Sequence, residues 1–129
     1  MKKVFVFACL ALLFVACQES LEDKCEREAK AYTAKKCPYK MDQNTIMDSL
    51  TFDKATHTIQ YYYRLTGRAD AEGVLDSAKA VKLLRDELRN TTTMKLYKDN
   101  GYNFSYTFLS EKDPTKVLYH VALTKKDYQ

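Results

Sequence analysis

Three stretches of the chain alternate between apolar and polar side chains, namely residues 58–65, 102–109 and 117–123. This period of two is that of a β-strand, because successive side chains of a strand point to opposite faces of the sheet. In the first stretch the more apolar set is Ile59, Tyr61, Tyr63 and Leu65. The alternation therefore predicts a sheet with one covered face and one face toward solvent.

Two further strands are predicted beside polar turns. Residues 46–52 precede the polar segment 53–57, which has the length of a hairpin connection into the strand at 58–65. Residues 93–98 precede Asn100-Gly101, a strong signal for a tight hairpin into the strand at 102–109. Because hairpins join antiparallel strands, we expect five antiparallel strands.

Two segments have the chemistry of amphipathic helices. Residues 20–36 are dense in helix formers, with acids early and lysines late as the helix dipole favours, and Pro38 supplies a stop. Residues 74–89 carry an apolar stripe at helical spacing, formed by Val74, Ala78, Val81, Leu84 and Leu88. Each helix needs an apolar surface to cover.

These elements predict an α+β fold in the order α-β-β-α-β-β-β. The simplest arrangement is a five-stranded antiparallel sheet with both helices packed on one face. In outline this layout resembles cystatin-like folds, which are small curved sheets wrapping a helix. The resemblance is architectural and carries no function with it.

The N-terminus has the layout of a secretory signal peptide. Lys2 and Lys3 precede 13 uninterrupted apolar residues at positions 4–16, and the small residue Ala16 precedes Cys17. A membrane-spanning helix needs about 18 or more apolar residues, so this run is too short for a stable anchor. We therefore expect export followed by cleavage.

The segment Phe14-Val15-Ala16-Cys17 resembles the lipobox of bacterial lipoproteins, although Phe14 departs from the usual aliphatic residue. The resemblance implies a diacylglycerol on the Cys17 thiol, cleavage before Cys17 and acylation, for example with palmitate, of the new amine. Gln18 follows where lipoproteins retained in the inner membrane typically have Asp, which favours the outer membrane. The expected organisation is a signal peptide at 1–16, a lipidated tether at 17–20 and one α+β domain at 21–129.

The charge of the mature chain argues against nucleic acid as a partner. Loss of Lys2 and Lys3 leaves 19 basic and 17 acidic residues, whereas proteins that neutralise many phosphates carry a strong basic excess. The membrane, reached through the lipid, is the first expected partner, and a protein or a glycan is the second.

Two cysteines stay in the mature domain, and they give conflicting indications. Export to an oxidising compartment favours a Cys25–Cys37 disulfide. A continuous helix separates their Cα atoms by about 18 Å, whereas a disulfide needs about 4.4 to 6.8 Å. The helix signals make the disulfide the less favoured of the two alternatives.

Signatures of metal binding and catalysis are weak. The two histidines, His57 and His120, have no second ligand at local metal-site spacing, and there is no Gly-x-Ser-x-Gly motif or glycine-rich phosphate loop. We expect no cofactor, no metal and no enzymatic activity. An envelope hydrolase remains an alternative, and it would require a pocket that unites one histidine with a serine and a carboxylate.

Tyrosine is unusually frequent, and all ten tyrosines lie in the mature chain. Tyr62 falls on the polar side of its strand, and the predicted alternation adds residues from other strands to that side. The predicted binding face comprises Gln60, Tyr62, Arg64, Tyr97 and His120, with Lys95, Asn103 and Ser105 beside them. Aromatic and polar side chains together suit recognition of a protein or glycan, and equally suit the solvated back of a sheet.

The sequence thus predicts a cell-envelope lipoprotein that acts as a non-catalytic binding or interaction module. An alternative of another class is an inhibitor or immunity-type protein that blocks an exported enzyme. Capture of an enzyme with loss of its turnover would distinguish the inhibitor from a structural or glycan-binding module.

Overall fold

The computed structural model describes residues 19–129, so the predicted signal peptide at 1–16 and Cys17 lie outside the described residues. The helices are α1 (Leu21–Lys36), α2 (Ser77–Asn90), α3 (Lys95–Asp99) and α4 (Lys125–Tyr128), with a 3₁₀ turn at Gly67–Ala69. The strands are β1 (Tyr39–Asp42), β2 (Thr45–Asp53), β3 (Thr58–Leu65), β4 (Asn103–Ser110) and β5 (Val117–Leu123). Within residues 19–129 no helix is long and apolar enough to span a membrane.

The five strands form one sheet in the order β1-β2-β3-β4-β5. Neighbouring strands are antiparallel except β3 and β4, which run parallel. A parallel pair needs a crossover connection, and here the chain passes through α2 and α3 between these strands. The predicted α+β class with a five-stranded sheet is confirmed, but the sheet is mixed and not purely antiparallel.

The strand predicted at 93–98 is wrong, because this segment contains the short helix α3. Lys98 Nζ donates to the carbonyls of Leu88 and Thr91, which joins α3 to the end of α2. Gly101 has φ +73° and its N–H bonds to the Lys98 carbonyl, so Asn100-Gly101 ends a helix and does not close a hairpin. The fifth strand is β1, which the sequence pattern did not indicate.

One face of the sheet, here called the inward face, forms the hydrophobic core with both long helices. The buried members are Met47, Leu50, Ile59, Tyr63, Phe104, Tyr106, Val121 and Leu123 from the strands, Cys25, Ala29, Leu88 and Tyr97 from the helices, and Tyr102 just before β4. Phe104 and Leu123 are 0% and 1% exposed, and burying such a side chain contributes about 1.5–3 kcal/mol. The helices cover one face, as expected. All residues of this core fall within positions 21–128 of the sequence.

Helix α1 is continuous between two sequence-encoded ends. The Ser20 hydroxyl accepts a hydrogen bond from the Asp23 N–H at 3.1 Å, and the helix ends before Pro38. Cys25 is buried on α1 while Cys37 lies just after its end, and both are free thiols. The continuous helix is the arrangement that makes a bond between these two residues sterically unfavourable.

Thr33 of α1 takes the place of a missing strand partner. Strand β1 is short and pairs only with the first residues of β2, Thr45 to Met47. Farther along β2, the Leu50 N–H donates to Thr33 Oγ1 at 2.9 Å and the Thr33 hydroxyl donates to the Leu50 carbonyl at 2.8 Å. One side chain therefore satisfies two backbone groups at the part of the β2 edge that β1 does not cover.

Candidate binding groove

Four of the five residues predicted to form a binding face lie together on the outer face of the sheet. Strand β3 carries Gln60, Tyr62 and Arg64 there. Register aligns Tyr62 with Thr107 on β4, and Thr107 in turn with His120 on β5. We use the name outer face for Gln60, Tyr62, Arg64, Thr107 and His120 and their neighbours on the same side.

The polar groups of the outer face are largely bonded to each other. Arg64 Nε and Nη2 donate to the Asp48 carboxylate at 3.2 Å and 3.0 Å. The same ion pair raises the pKa of the Arg64 guanidinium. The Thr51 hydroxyl donates to Gln60 Oε1 at 2.8 Å, and Thr107 Oγ1 lies 2.9 Å from His120 Nδ1. Such mutual pairing is typical of a solvated sheet surface.

The placement of Tyr97 on this face is wrong. Tyr97 lies on α3 and is buried in the core, 4% exposed, where its hydroxyl donates to Glu28 Oε2 at 2.6 Å. Burial, reinforced by this hydrogen bond, raises the pKa of the Tyr97 hydroxyl. Lys95 is exposed on the same short helix and pairs with Asp99. Tyr97 was assigned to the outer face because the sequence predicts a strand at 93–98, whereas residues 95–99 form a helix.

A groove lies on the inward side of the sheet, between α2 and the strands β1 to β4. One end of the groove is a cavity of about 420 Å³. Apolar side chains line most of it, and we define the helix–sheet groove by Met41, Tyr63, Leu75, Ala80, Leu83, Leu84 and Phe108. Tyr63 and Phe108 stack with ring centroids 4.8 Å apart and form the floor.

Two residues of this groove expose unusually much apolar surface. Leu83 is 60% exposed and Met41 is 50% exposed, and they line the same cavity from α2 and from β1. An isolated exposed leucine is ordinary, but exposed apolar side chains that continue into an apolar cavity are typical of an interaction site. Leu83 lies beside the apolar stripe that the sequence predicted for α2. A leucine next to that stripe, in the pair Leu83-Leu84, was the feature of the sequence that could have indicated an exposed apolar surface.

The groove continues toward the end of α2 over a floor of tyrosines. Tyr61, Tyr63 and Tyr106 line this second cavity of about 560 Å³, which shares Tyr63 and Glu87 with the first. Burial raises the pKa of all three hydroxyls, so they are neutral at physiological pH. Their rings stack on one another, with 4.9 Å between the centroids of Tyr61 and Tyr106. This part of the groove is therefore aromatic and uncharged at its floor.

Neither histidine takes part in a site of the kind that a hydrolase requires. His57 Nε2 lies 3.3 Å from Glu22 Oε1, and its ring stacks on Tyr102 at 5.0 Å. His120 bonds to Thr107 on the outer face. In the described part of the chain no three residues among His, Cys, Asp and Glu are grouped to hold a metal ion.

The fold is similar to that of several solved bacterial proteins. One is a Pseudomonas aeruginosa protein described as secreted, with a TM-score of 0.73, 12% identity and coverage of 87% of this chain and 100% of that chain. Another is the type II secretion system pilotin AspS from Vibrio cholerae, with a TM-score of 0.61, 11% identity and coverage of 83% and 91%. A third is the type II secretion system pilotin EpsS from Vibrio vulnificus, with a TM-score of 0.66, 13% identity and coverage of 84% and 92%.

At these identities the likeness establishes a shared fold. The sequence defines the family more narrowly, because the model of the family described as "Domain of unknown function (DUF8479)" matches residues 20–119. The chain belongs to this family. No curated protein matches the chain significantly.

Proposed function

We propose that this protein is a lipid-anchored protein of the bacterial cell envelope that binds a partner protein without catalysing a reaction. The observation that carries the proposal is the helix–sheet groove, in which exposed Leu83 and Met41 border an apolar cavity. Burying each of these side chains against a partner would contribute about 1 kcal/mol or more. A few such anchors in one concave site are what a protein interface needs at its centre.

The solved structures support a protein partner over the other predicted classes. Two proteins of this fold are pilotins of a type II secretion system, and a third is described as secreted. These proteins have exported or secretion-related roles, which agrees with the predicted signal peptide and the lipobox-like segment of this sequence. The agreement supports the envelope as the place of action and a secretion or assembly component as the kind of partner.

The anchor is the second part of the proposal. We infer that residues 1–16 are removed and that Cys17 carries the lipid, with only residues 18–20 between it and α1. Multiple acyl chains on one cysteine exceed the single-chain threshold for lasting attachment. Metabolic labelling with an alkyne palmitate should mark the wild-type chain in the outer-membrane fraction and leave Cys17→Ser unlabelled. Labelling of Cys17→Ser would refute lipidation at this cysteine.

The groove is tested by affinity capture of the tagged full chain from the envelope of its own bacterium. One variant places polar side chains in the groove, Met41→Ser with Leu83→Ser. A matched variant changes the outer face, Tyr62→Ala with Arg64→Ala. All four side chains are at least partly exposed, so circular dichroism should show that both variants fold.

We expect the wild type and the outer-face variant to recover the same protein, and the groove variant to lose it. Loss with the outer-face variant alone would contradict the groove and favour the sheet surface. If the captured protein is an enzyme whose turnover falls on binding, the role is that of an inhibitor acting through the same groove.

A further inference from the structure

The rim of the groove is acidic although the chain as a whole is slightly basic. Four carboxylates lie along the two cavities, and one cation, Lys79, lies with them among the lining residues. The four are Asp42, Asp76, Asp86 and Glu87. Against 19 basic and 17 acidic residues in the mature chain, this concentration of negative charge is local to the groove.

Two of these carboxylates, Asp86 and Glu87, differ from every other acidic side chain in residues 19–129. The other two at the groove have partners, because Asp76 caps α2 and Asp42 accepts a hydrogen bond from the Asn44 N–H. The acidic side chains elsewhere in this range have an ion pair or a hydrogen bond within the domain. Asp86 and Glu87 have neither, and both are exposed where α2 borders the groove.

Unpaired charge beside exposed apolar surface points to the chemistry of a partner. Leu83 and Met41 favour apolar side chains in the cavity, whereas Asp86 and Glu87 favour cations along its border. An anionic or purely apolar occupant would leave these carboxylates repelled or partly desolvated without a partner. Lys or Arg next to apolar residues satisfies both requirements.

The surrounding elements also constrain the conformation of the occupant. The groove is bordered mainly by α2 and by the inward face of β3 and β4, whose backbone groups are already bonded within the helix and to neighbouring strands on both sides. Met41 and Asp42 come from the edge strand β1 at one end of the groove. An extended segment would enter such a site with its own N–H and C=O groups unpaired. A helix bonds these groups internally and presents only side chains.

We propose that the groove binds an amphipathic helix of a partner protein, with an apolar stripe seated on Leu83, Met41 and Phe108 and with Lys or Arg beside Asp86 and Glu87. This inference rests on the proposed function and adds the chemistry of the partner. The charged contacts at the border supply specificity and salt dependence, and the apolar stripe supplies most of the affinity.

The test uses two synthetic 18-residue peptides that share a helical leucine stripe. One carries lysines on both flanks of the stripe, and the other carries glutamates at the same positions. Residues 18–129 serve as the protein because the hydrophobic core lies within them, and the absence of lipid avoids detergent, which would itself bind the peptides. Fluorescence anisotropy of labelled peptide measures Kd at 50 mM and 500 mM salt.

Two charge variants and one groove variant complete the design. Asp86→Asn with Glu87→Gln removes the border charges, and Asp99→Asn with Glu111→Gln removes two exposed charges elsewhere. Leu83→Ser removes an apolar anchor. Thermal unfolding of each variant verifies that it folds.

The lysine peptide should bind the parent and the distant-charge variant alike. It should bind the border-charge variant about tenfold more weakly at 50 mM salt, because two partly exposed ion pairs are lost, and this difference should shrink at 500 mM. Leu83→Ser should weaken binding at both salt concentrations.

Equal or tighter binding of the glutamate peptide would overturn the basic partner. No binding of either peptide, or lysine-peptide binding that all variants share, would overturn the helix at this groove. The proposed function is judged separately by capture in the envelope, where loss of the natural partner with Met41→Ser and Leu83→Ser does not depend on the partner's charge.

Discussion

Replacing Thr33 by valine removes a hydroxyl that bonds to both backbone groups of Leu50 while keeping the shape of the side chain. The two bonds are 2.9 Å and 2.8 Å long, and Leu50 is only 7% exposed. Valine would leave a backbone donor and a backbone acceptor without partners at a position where water has little access. Each lost hydrogen bond costs about 1 kcal/mol and an unsatisfied buried group costs more, so we expect a loss of about 2–3 kcal/mol.

For a domain of this size, a loss of 2–3 kcal/mol corresponds to a fall in Tm of about 10 °C. Chemical denaturation measures the change in the free energy of unfolding, and calorimetry measures Tm. Thr33→Ser is the control, because it keeps the hydroxyl and should lose less than about 1 kcal/mol. Equal stability of wild type and Thr33→Val would refute the idea that Thr33 stands in for a strand partner.

Three further predictions concern the core and the helix ends. Burial raises the pKa values of Tyr61, Tyr63 and Tyr106 in the folded state, so the contribution of these three hydroxyls to stability should be constant below about pH 10 and fall above it. Absorbance at 295 nm should show the ionisation of these buried tyrosines coinciding with unfolding, and their ionisation in a fully folded chain would contradict their burial. Lys98→Met should cost about 1–2 kcal/mol in chemical denaturation because the ammonium bonds to carbonyls at the end of α2, whereas exposed Lys95→Met should change little. Burial raises the pKa of the Cys25 thiol to about 12, so a thiol reagent at pH 8 should modify Cys25 only when the protein unfolds. Rapid modification of Cys25 in the native state would be inconsistent with its burial in the core.

The alternation of side chains predicted much of the sheet because it reports directly on which face is covered. Strands β3 and β5 lie at 58–65 and 117–123, as expected, and β4 differs from its expected bounds by one residue at each end. Strand β1 escaped prediction because all four of its residues are exposed and no alternation marks them. Its pairing with β2 depends on tertiary position, which a local pattern does not contain.

The parallel pairing of β3 and β4 was hidden by a turn signal that serves another purpose. Asn100-Gly101 has the composition of a hairpin, but Asn100 Nδ2 donates to the Leu96 carbonyl and Gly101 turns the chain out of α3. A dipeptide that tolerates positive φ ends helices as readily as it closes hairpins. The helix at 95–99 is held by the contact of Lys98 with the end of α2 and by that of Tyr97 with the distant Glu28, neither of which a local pattern shows.

The candidate site could likewise be predicted from the sequence only in part. Alternation alone brought Gln60, Tyr62 and Arg64 to one face, yet the pairing of Arg64 with Asp48 depends on a register shift in β2. The helix–sheet groove joins Met41 of β1 to Leu83 of α2, two residues that local sequence patterns do not connect. Both features follow from the way distant elements come together in the fold.

Site-specific photocrosslinking in the living cell tests whether the partner binds in the helix–sheet groove. The photoreactive residue p-benzoylphenylalanine is introduced at position 83 or, as the control, at position 62 of the full-length chain. Both native side chains are accessible, and they lie on opposite sides of the sheet. One discrete protein adduct is expected at position 83 and none at position 62. An adduct at position 62 with none at position 83 would contradict binding in the groove.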